Sequence, residues 1–185
     1  MGALSETEII EAILQGRHEG QTEMVCRFAQ RIFAMIARQV TDVRDAQELT
    51  QDTFLRAFIY IDSYDPQRAS LSTWLCRIAY HLTLDFLKRK RPVVVSIEDY
   101  EEISNEQLEY GLSTGQEERI KQLEKLVDEL PADERMLLTL YYFEDRPLTE
   151  IAYIIGIDAK ALANRLYRTR KKLYKRMCPS VPPSE

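Results

Sequence analysis

Two stretches of helical apolar periodicity are separated by one that has none, and this interruption constrains the fold more than any other feature. From residue 92 to residue 118 there are eight acidic residues and no lysine or arginine. Val93, Val94, Val95 and two glycines fall in this segment, but no periodic apolar face that could bury itself. One continuous helical core cannot run through it. The sequence therefore predicts an all-α chain of two small helical domains joined by a flexible acidic linker. The expected boundaries are 1–92 for the first domain, 93–116 for the linker, 117–178 for the second domain and 179–185 for a disordered tail.

The helices can be read from apolar spacing and end signals. Ser5-Glu6-Thr7-Glu8 has the spacing of a capping box. It opens a helix with Ile9, Ile10, Ile13 and Leu14 as its stripe, stopped by Gly16. A long second helix carries Met24, Val25, Phe28, Ile32, Phe33, Met35 and Ile36 on its core face. Asp42 to Asp45 can cap a third, whose apolar positions Leu49, Phe54, Leu55, Phe58 and Ile59 leave Glu48, Gln51, Asp52 and Arg56 facing outward. The turn formers Asp62-Ser63-Tyr64-Asp65-Pro66 end it. Ser70 is a cap for the next helix, from Leu71 to about Arg91. There Leu71, Trp74, Leu75, Ile78, Leu82 and Phe86 predict one buried face, with Trp74 in the core. This helix runs out into Lys88-Arg89-Lys90-Arg91 before Pro92. Beyond the linker the pattern resumes with Leu123, Leu126, Val127 and Leu130. It restarts at Pro131, with Met136, Leu137, Leu140 and Tyr141 as the stripe.

Charge is segregated in a way the net value of −5 conceals. Residues 1–91 hold 12 basic and 12 acidic residues, and residues 119–185 hold 13 and 10. The acidic excess therefore belongs to the linker, and the flanking helices are free to carry cationic surfaces. With 45% hydrophobic and 30% charged residues the chain is globular in composition. No apolar run approaches the roughly 18 residues a membrane span needs. The start, with Glu6, Glu8 and Glu11, lacks a basic leader pattern, so a cytoplasmic protein without membrane insertion is expected. Cys26, Cys76 and Cys178 are odd in number and far apart, which predicts buried or incidental thiols rather than disulfides or a metal centre. His18 and His81 stand alone. No nucleophile with its base, paired catalytic carboxylates, glycine-rich phosphate loop or ligand cluster is evident, so no catalytic role, cofactor or metal is expected.

The last helical block carries the sharpest motif, LTEIAYIIGIDAKALANRLYRTRKKLY. Thr149 can cap a short helix. Ala152 and Gly156 lie four apart, where small residues let two helices cross closely, and Gly156 gives the tight turn its freedom. Leu162, Leu166 and Leu173 would bury the second helix and leave Ala163, Asn164, Tyr167, Arg168 and Lys171 on the opposite surface. From Ala159 to Cys178 there are eight basic residues and no acidic one. That is the footprint of a helix entering a major groove, with Asn and Arg reading base edges and lysines on phosphate.

At this point the sequence resembles a known family. LPADERMLLTLYYFEDRPLTEIAYIIGIDAKALANRLYRTRKKL is similar to region 4 of sigma-70 factors. DAQELTQDTFLRAF followed by YDPQRASLSTWLCRIAYHLTLDFLKRKR is similar to their region 2, in the compressed form of extracytoplasmic-function (ECF) sigma factors, which keep only these two regions. The resemblance implies a protein that binds core RNA polymerase and promoter DNA. By it, Glu48, Gln51 and Asp52 match the positions that grip the clamp helices of the largest subunit, while region 4 meets the flap. The loop 64–70 matches the segment that catches a flipped −10 base. Gln67, Arg68 and Ser70 are its candidate polar contacts, and Arg77, His81, Lys88 and Lys90 are candidates from the following helix. Lys160, Ala163, Asn164, Tyr167, Arg168 and Lys171 are the candidate −35 positions. The aromatic-rich melting surface of housekeeping sigma factors is not evident, so strand opening is expected to lean on the captured base and on the polymerase. The chain also departs from the pattern where many relatives carry a cation, having Ala163. Asp158-Ala159-Lys160-Ala161-Leu162 replaces the usual Ser-Gly-Thr-Val entry, which leaves the −35 letters open. An anti-sigma factor is a further partner the resemblance implies, and the free chain is expected to be a monomer.

Two other readings fit parts of the sequence. A stand-alone helix-turn-helix regulator would bind specific duplex DNA without polymerase. An all-helical adaptor would tolerate reversal of Arg168 and Lys171. Neither accounts for the region 2 pattern and the acidic connector together.

Overall fold

A computed structural model of the chain describes residues 4–90 and 116–178. The regular elements among them are helical. They are α1 (Glu6–Leu14), α2 (His18–Ala37), α3 (Val43–Ile59), α4 (Leu71–Lys90), α5 (Gln116–Asp128), α6 (Ala132–Leu138), α7 (Leu148–Ile155) and α8 (Ala159–Met177). A 3₁₀ turn over Ile61–Ser63 follows α3, and a π-helical turn over Thr139–Phe143 follows α6. The expected acidic linker at 93–116 lies almost wholly outside the described residues, with α5 beginning at Gln116, and the expected tail at 179–185 lies wholly outside them.

Most helix starts obey the local signals. Ser5 Oγ accepts from the Glu8 amide at 3.3 Å and the Glu8 carboxylate accepts from the Ser5 amide at 2.7 Å, closing the capping box. Asp42 accepts from the Arg44 amide at 2.8 Å. Gly16 ends the turn after α1 with φ +71°. The expected cap at Thr149 is not formed. α7 begins at Leu148, with Pro147 in the cap position two residues earlier, and its fixed φ of −64° leads the chain into the helix without a side-chain acceptor.

α1 packs on α2 through a point the periodicity does not reveal. A Cβ placed on Gly20 would meet Ala12 Cβ and the Ile9 carbonyl oxygen at 2.7 Å. Backbone cannot yield there, so the crossing depends on glycine. Gly20→Ala is expected to lower stability by about 1–3 kcal/mol despite alanine's better helix propensity, read as a lower thermal midpoint.

Ile9, Met24, Ile32, Met35, Ile36, Leu71 and Leu75 form the centre of the amino-terminal core. Several apolar residues assigned to core faces lie outside it: Leu14, Val25, Leu55 and Ile59 are exposed. α4 also departs from the single buried face expected of it. Thr73, Cys76, Ala79, Tyr80, Thr83 and Leu84 are buried beside Leu71, Trp74, Leu75 and Leu82, while Ile78 and Phe86 are only partly covered. The reason is tertiary. α2 and α3 pack on α4, and α6 and α7 of the carboxy-terminal half pack on it as well. Met136, Leu137, Leu140, Ile151, Ile154, Leu162 and Leu166 fill that half and join the same apolar cluster.

Candidate nucleic-acid interface

α8 is built to present one side. Gly156 takes the left-handed conformation at φ +86°, and Asp158 caps the new helix by accepting from the amides of Lys160 at 3.0 Å and Ala161 at 2.9 Å. Leu162, Leu166, Thr169 and Leu173 are buried, so the far side faces out. There Lys160, Asn164 and Arg168 are exposed, and Ala163, Tyr167 and Lys171 are half-buried. The eight cations do not form one sheath. Arg165 pairs with Asp133, Lys172 with Glu134 at 3.7 Å, and Arg176 with Glu129. The Arg170 guanidinium lies 5.1 Å from the Tyr141 ring centre and 5.3 Å from that of Tyr142. These four cations thus fasten α8 to the helices before it. Lys160, Arg168, Lys171 and Lys175 lie along the rest of the helix. The acidic trio Glu129, Asp133 and Glu134 is the sequence signal for this division.

The loop before α4 is braced by side-chain contacts. Tyr64 meets Trp74 edge to face with ring centres 5.5 Å apart, and its hydroxyl donates to the Ala69 carbonyl at 3.1 Å. Trp74 is buried, as its place on the stripe predicts. The Gln67 amide donates to Asp65 Oδ1 at 2.9 Å. Ser70 caps α4, accepting from the Thr73 amide at 3.2 Å, so its hydroxyl already has a structural task. Glu6 of α1 accepts from the Leu71 amide at 3.1 Å, a contact 65 positions away that no local signal announces. Gln67 and Arg68 stand exposed on this braced loop.

Further along α4, His81 and Lys88 are exposed. Partial desolvation, with Arg77 and Lys88 nearby, holds the His81 imidazole below its ordinary value of 6.5. At neutral pH it therefore offers a ring nitrogen rather than a charge. Lys90 is engaged within the protein, its Nζ 2.5 Å from Asp45 Oδ2 and 4.8 Å from the Phe86 ring centre.

The outward face of α3 is mixed rather than purely polar. Glu48 and Gln51 are exposed and Asp52 is half-buried. Leu55 is 58% exposed and Ile59 68%. Gln51, Leu55 and Ile59 follow one another at i, i+4 and i+8, so they form one row beside Glu48 and Asp52. Leu55, one of the apolar positions expected opposite the outward face, instead lies on the open surface. A groove of ≈ 260 Å³ runs along this face between Glu48 and Asp52 of α3 and Phe86 and Arg89 of α4.

Where the two halves meet, polar contacts accompany the shared apolar cluster. Arg146, 5% exposed, inserts its guanidinium against α4. Its Nη1 donates to Thr73 Oγ1 at 2.9 Å and to Glu150 Oε2 at 2.7 Å. Its Nη2 donates to Ser72 Oγ at 2.9 Å and Cys76 Sγ at 3.1 Å. Nε is buried without an acceptor, a deficit of about 1–3 kcal/mol. Arg31 Nε donates to Glu144 Oε2 at 2.7 Å, and Gln39 Nε2 to Thr139 Oγ1 at 2.8 Å. Arg77 donates to the carbonyl of Tyr153, in the last turn of α7, where carbonyls lack helical partners. The Tyr153 ring lies 5.0 Å from the Arg77 guanidinium and 6.0 Å from that of Arg68. Burial pushes the Cys76 thiol up to about 11.

Comparison with known proteins matches both halves separately. The family model of sigma-70 region 2 covers residues 24–93, and that of sigma-70 region 4 covers residues 120–173. The chain is 27% identical over 177 residues to the ECF RNA polymerase sigma factor SigW of Bacillus subtilis, covering 91% of this chain and 94% of that protein. It is 24% identical to the RNA polymerase sigma-H factor of Pseudomonas aeruginosa, with 94% of each covered. Among solved structures, the fold is similar to CnrH in complex with the cytosolic domain of CnrY, with TM-score 0.62 and 22% identity over 95% of this chain and 99% of that one. It is also similar to the sigma factor RpoE bound to the anti-sigma factor NepR from Bartonella quintana, with TM-score 0.57 and 21% identity over 87% and 98%.

Proposed function

We infer a division of labour from one premise: the chain belongs to the sigma-70 family, as a sigma factor of the ECF group. It is a promoter-recognition subunit that joins core RNA polymerase and directs initiation. The observation that carries this is the presence of both regions, in order, on one chain; a stand-alone helix-turn-helix regulator has no use for region 2.

Glu48, Gln51 and Asp52, together with the exposed row through Leu55 and Ile59, dock on the polymerase clamp helices. The apolar members supply desolvated area and the acidic members fix the register. Gln67, Arg68, Ser70 and Arg77 receive an unstacked −10 base, with His81 and Lys88 beside the backbone. The bracing of the loop by Trp74, Tyr64 and Glu6 supports this role, because a flipped base needs a preformed pocket. Lys90 contributes only after leaving Asp45. Asn164 and Arg168 read the −35 element, flanked by Lys160 and Lys171, while Ala163 and Tyr167 offer apolar contact. Region 4 also meets the polymerase flap, and an anti-sigma factor holds the chain in reserve, a partner supported by the complex of the similar RpoE. No helix among the described residues is long and apolar enough to cross a membrane.

A salt titration tests the DNA side. With core enzyme present, Lys171→Ala should weaken promoter binding at all sequences and flatten the log–log salt slope by about 0.9, one phosphate contact. Specific duplex binding by the chain alone, unaffected by core, would instead favour the stand-alone regulator.

A further inference from the structure

We propose that Glu6 is a positioning residue for −10 base capture: from α1, an element that carries none of the proposed DNA contacts, it holds the capture loop at the point where that loop enters α4. The inference deepens the reading above and rests on it for what the loop receives. Glu6 is half-buried, and its Oε2 accepts from the Leu71 amide at 3.1 Å. Leu71 opens α4, and the first amides of a helix have no partner within it. Ser70 serves the Thr73 amide from inside the loop, whereas Glu6 serves Leu71 from another element. α1 also packs on the Ile61–Ser63 turn, at the entry to the loop. One helix therefore fixes both ends of residues 64–70.

α1 can serve as a strut because it is itself fastened to α2. Arg27 Nη2 donates to the Leu4 carbonyl at 2.5 Å, just before the helix begins, and Gly20 admits Ile9 and Ala12 at its middle. Ile9, Ala12 and Ile13 are buried. The capping box of Ser5 and Glu8 keeps the first turn helical, and Glu6 stands in that turn. Within the loop, Tyr64 rests its ring on Trp74 and donates to the Ala69 carbonyl. Burial, with the Glu6 carboxylate close by, pushes the Tyr64 hydroxyl above its ordinary value of 10, so it remains a donor at neutral pH.

A merely solvated carboxylate beside a DNA site acts with the opposite sign. It repels phosphate, so its removal strengthens binding or leaves it unchanged. Positioning predicts a loss. Without Glu6 the Leu71 amide loses its side-chain acceptor, and the loop holds the capture geometry for a smaller fraction of the time. Apparent affinity for the base falls by that fraction. Only the base-dependent part of binding is affected, because the −35 contacts on α8 and the docking face of α3 are not built on this loop.

The test uses the full chain with core enzyme and a single-stranded non-template oligonucleotide carrying the −10 element selected from a randomised promoter library. Its affinity is compared with that of the same oligonucleotide made abasic at each position in turn. Wild type should lose at least about tenfold at the captured position, where stacking and pocket contacts vanish. In Glu6→Ala that penalty should shrink about fivefold, the effect of a lost helix cap, with core affinity unchanged. Glu6→Gln keeps an acceptor oxygen in reach without the charge, and should hold the wild-type penalty within about twofold. Glu6→Asp keeps the charge but withdraws it by one methylene, and should behave as Glu6→Ala does. The proposal is overturned if Glu6→Ala of native helicity keeps the full penalty or binds the intact oligonucleotide more tightly. Should Glu6→Ala lose its fold, the contrast of Gln with Asp decides, and equal behaviour of those two overturns the proposal. A wild type without a penalty at any position overturns base capture itself and the inference with it, and is recognised before any substitution is made.

Discussion

Gln51→Lys combined with Asp52→Lys is expected to abolish binding to core polymerase while the helical fold persists. Both residues lie on the outward face of α3, in the same patch as Leu55 and Ile59. On the proposed docking, placing two cations where an amide and a carboxylate stand would convert attraction into repulsion. Like-charge juxtaposition at an interface costs several kcal/mol, and every 1.4 kcal/mol or so is tenfold in affinity. The expected loss is on the order of a hundredfold or more in a fluorescence-anisotropy titration with core enzyme. Gln51 is exposed and Asp52 only half-buried, so thermal stability should shift by about 1 kcal/mol or less. Retained affinity in a folded double variant would remove α3 from the clamp contact.

Asn164→Ala combined with Arg168→Ala is expected to produce the second large effect, on DNA alone. Paired hydrogen bonds from such side chains to base edges are worth about 1–3 kcal/mol each in discrimination. The double variant should therefore lose on the order of ten- to a thousandfold in preference for its −35 sequence, measured by competition between promoter and scrambled duplexes. Affinity for core enzyme should be unchanged, because both residues lie on α8, far along the chain from α3. The contrast with Lys171→Ala is diagnostic. Loss of a phosphate contact weakens all sequences alike, whereas loss of a base reader flattens the difference between them. An unaltered −35 footprint would show that α8 does not enter the groove in this orientation.

Local signals made much of the architecture legible. The capping box at Ser5, the caps at Asp42 and Ser70, and the left-handed Gly156 act within a few residues, and each appears in the structure where its spacing places it. The stripe holding Trp74 likewise predicts its burial. What escaped depends on partners distant in sequence. Nothing near Thr73 and Arg146 in the sequence announces that α7 packs on α4 and brings them together. Leu55 and Ile59 were assigned to the core because apolar residues usually serve there. Their register with Gln51 was the contrary signal, and it gains weight only when that face is expected to bind. The eight cations of α8 read as one footprint, yet Glu129, Asp133 and Glu134 on the preceding helices draw three of them inward. Composition counts charge, but packing decides which charges face a ligand.

Run-off transcription with purified core enzyme and a library of randomised promoters tests the central claim most directly. The account predicts transcripts that depend on this chain, from templates enriched in two separated elements a couple of helical turns apart. Absence of stimulated RNA synthesis from every template, or enrichment of one element alone, would contradict it.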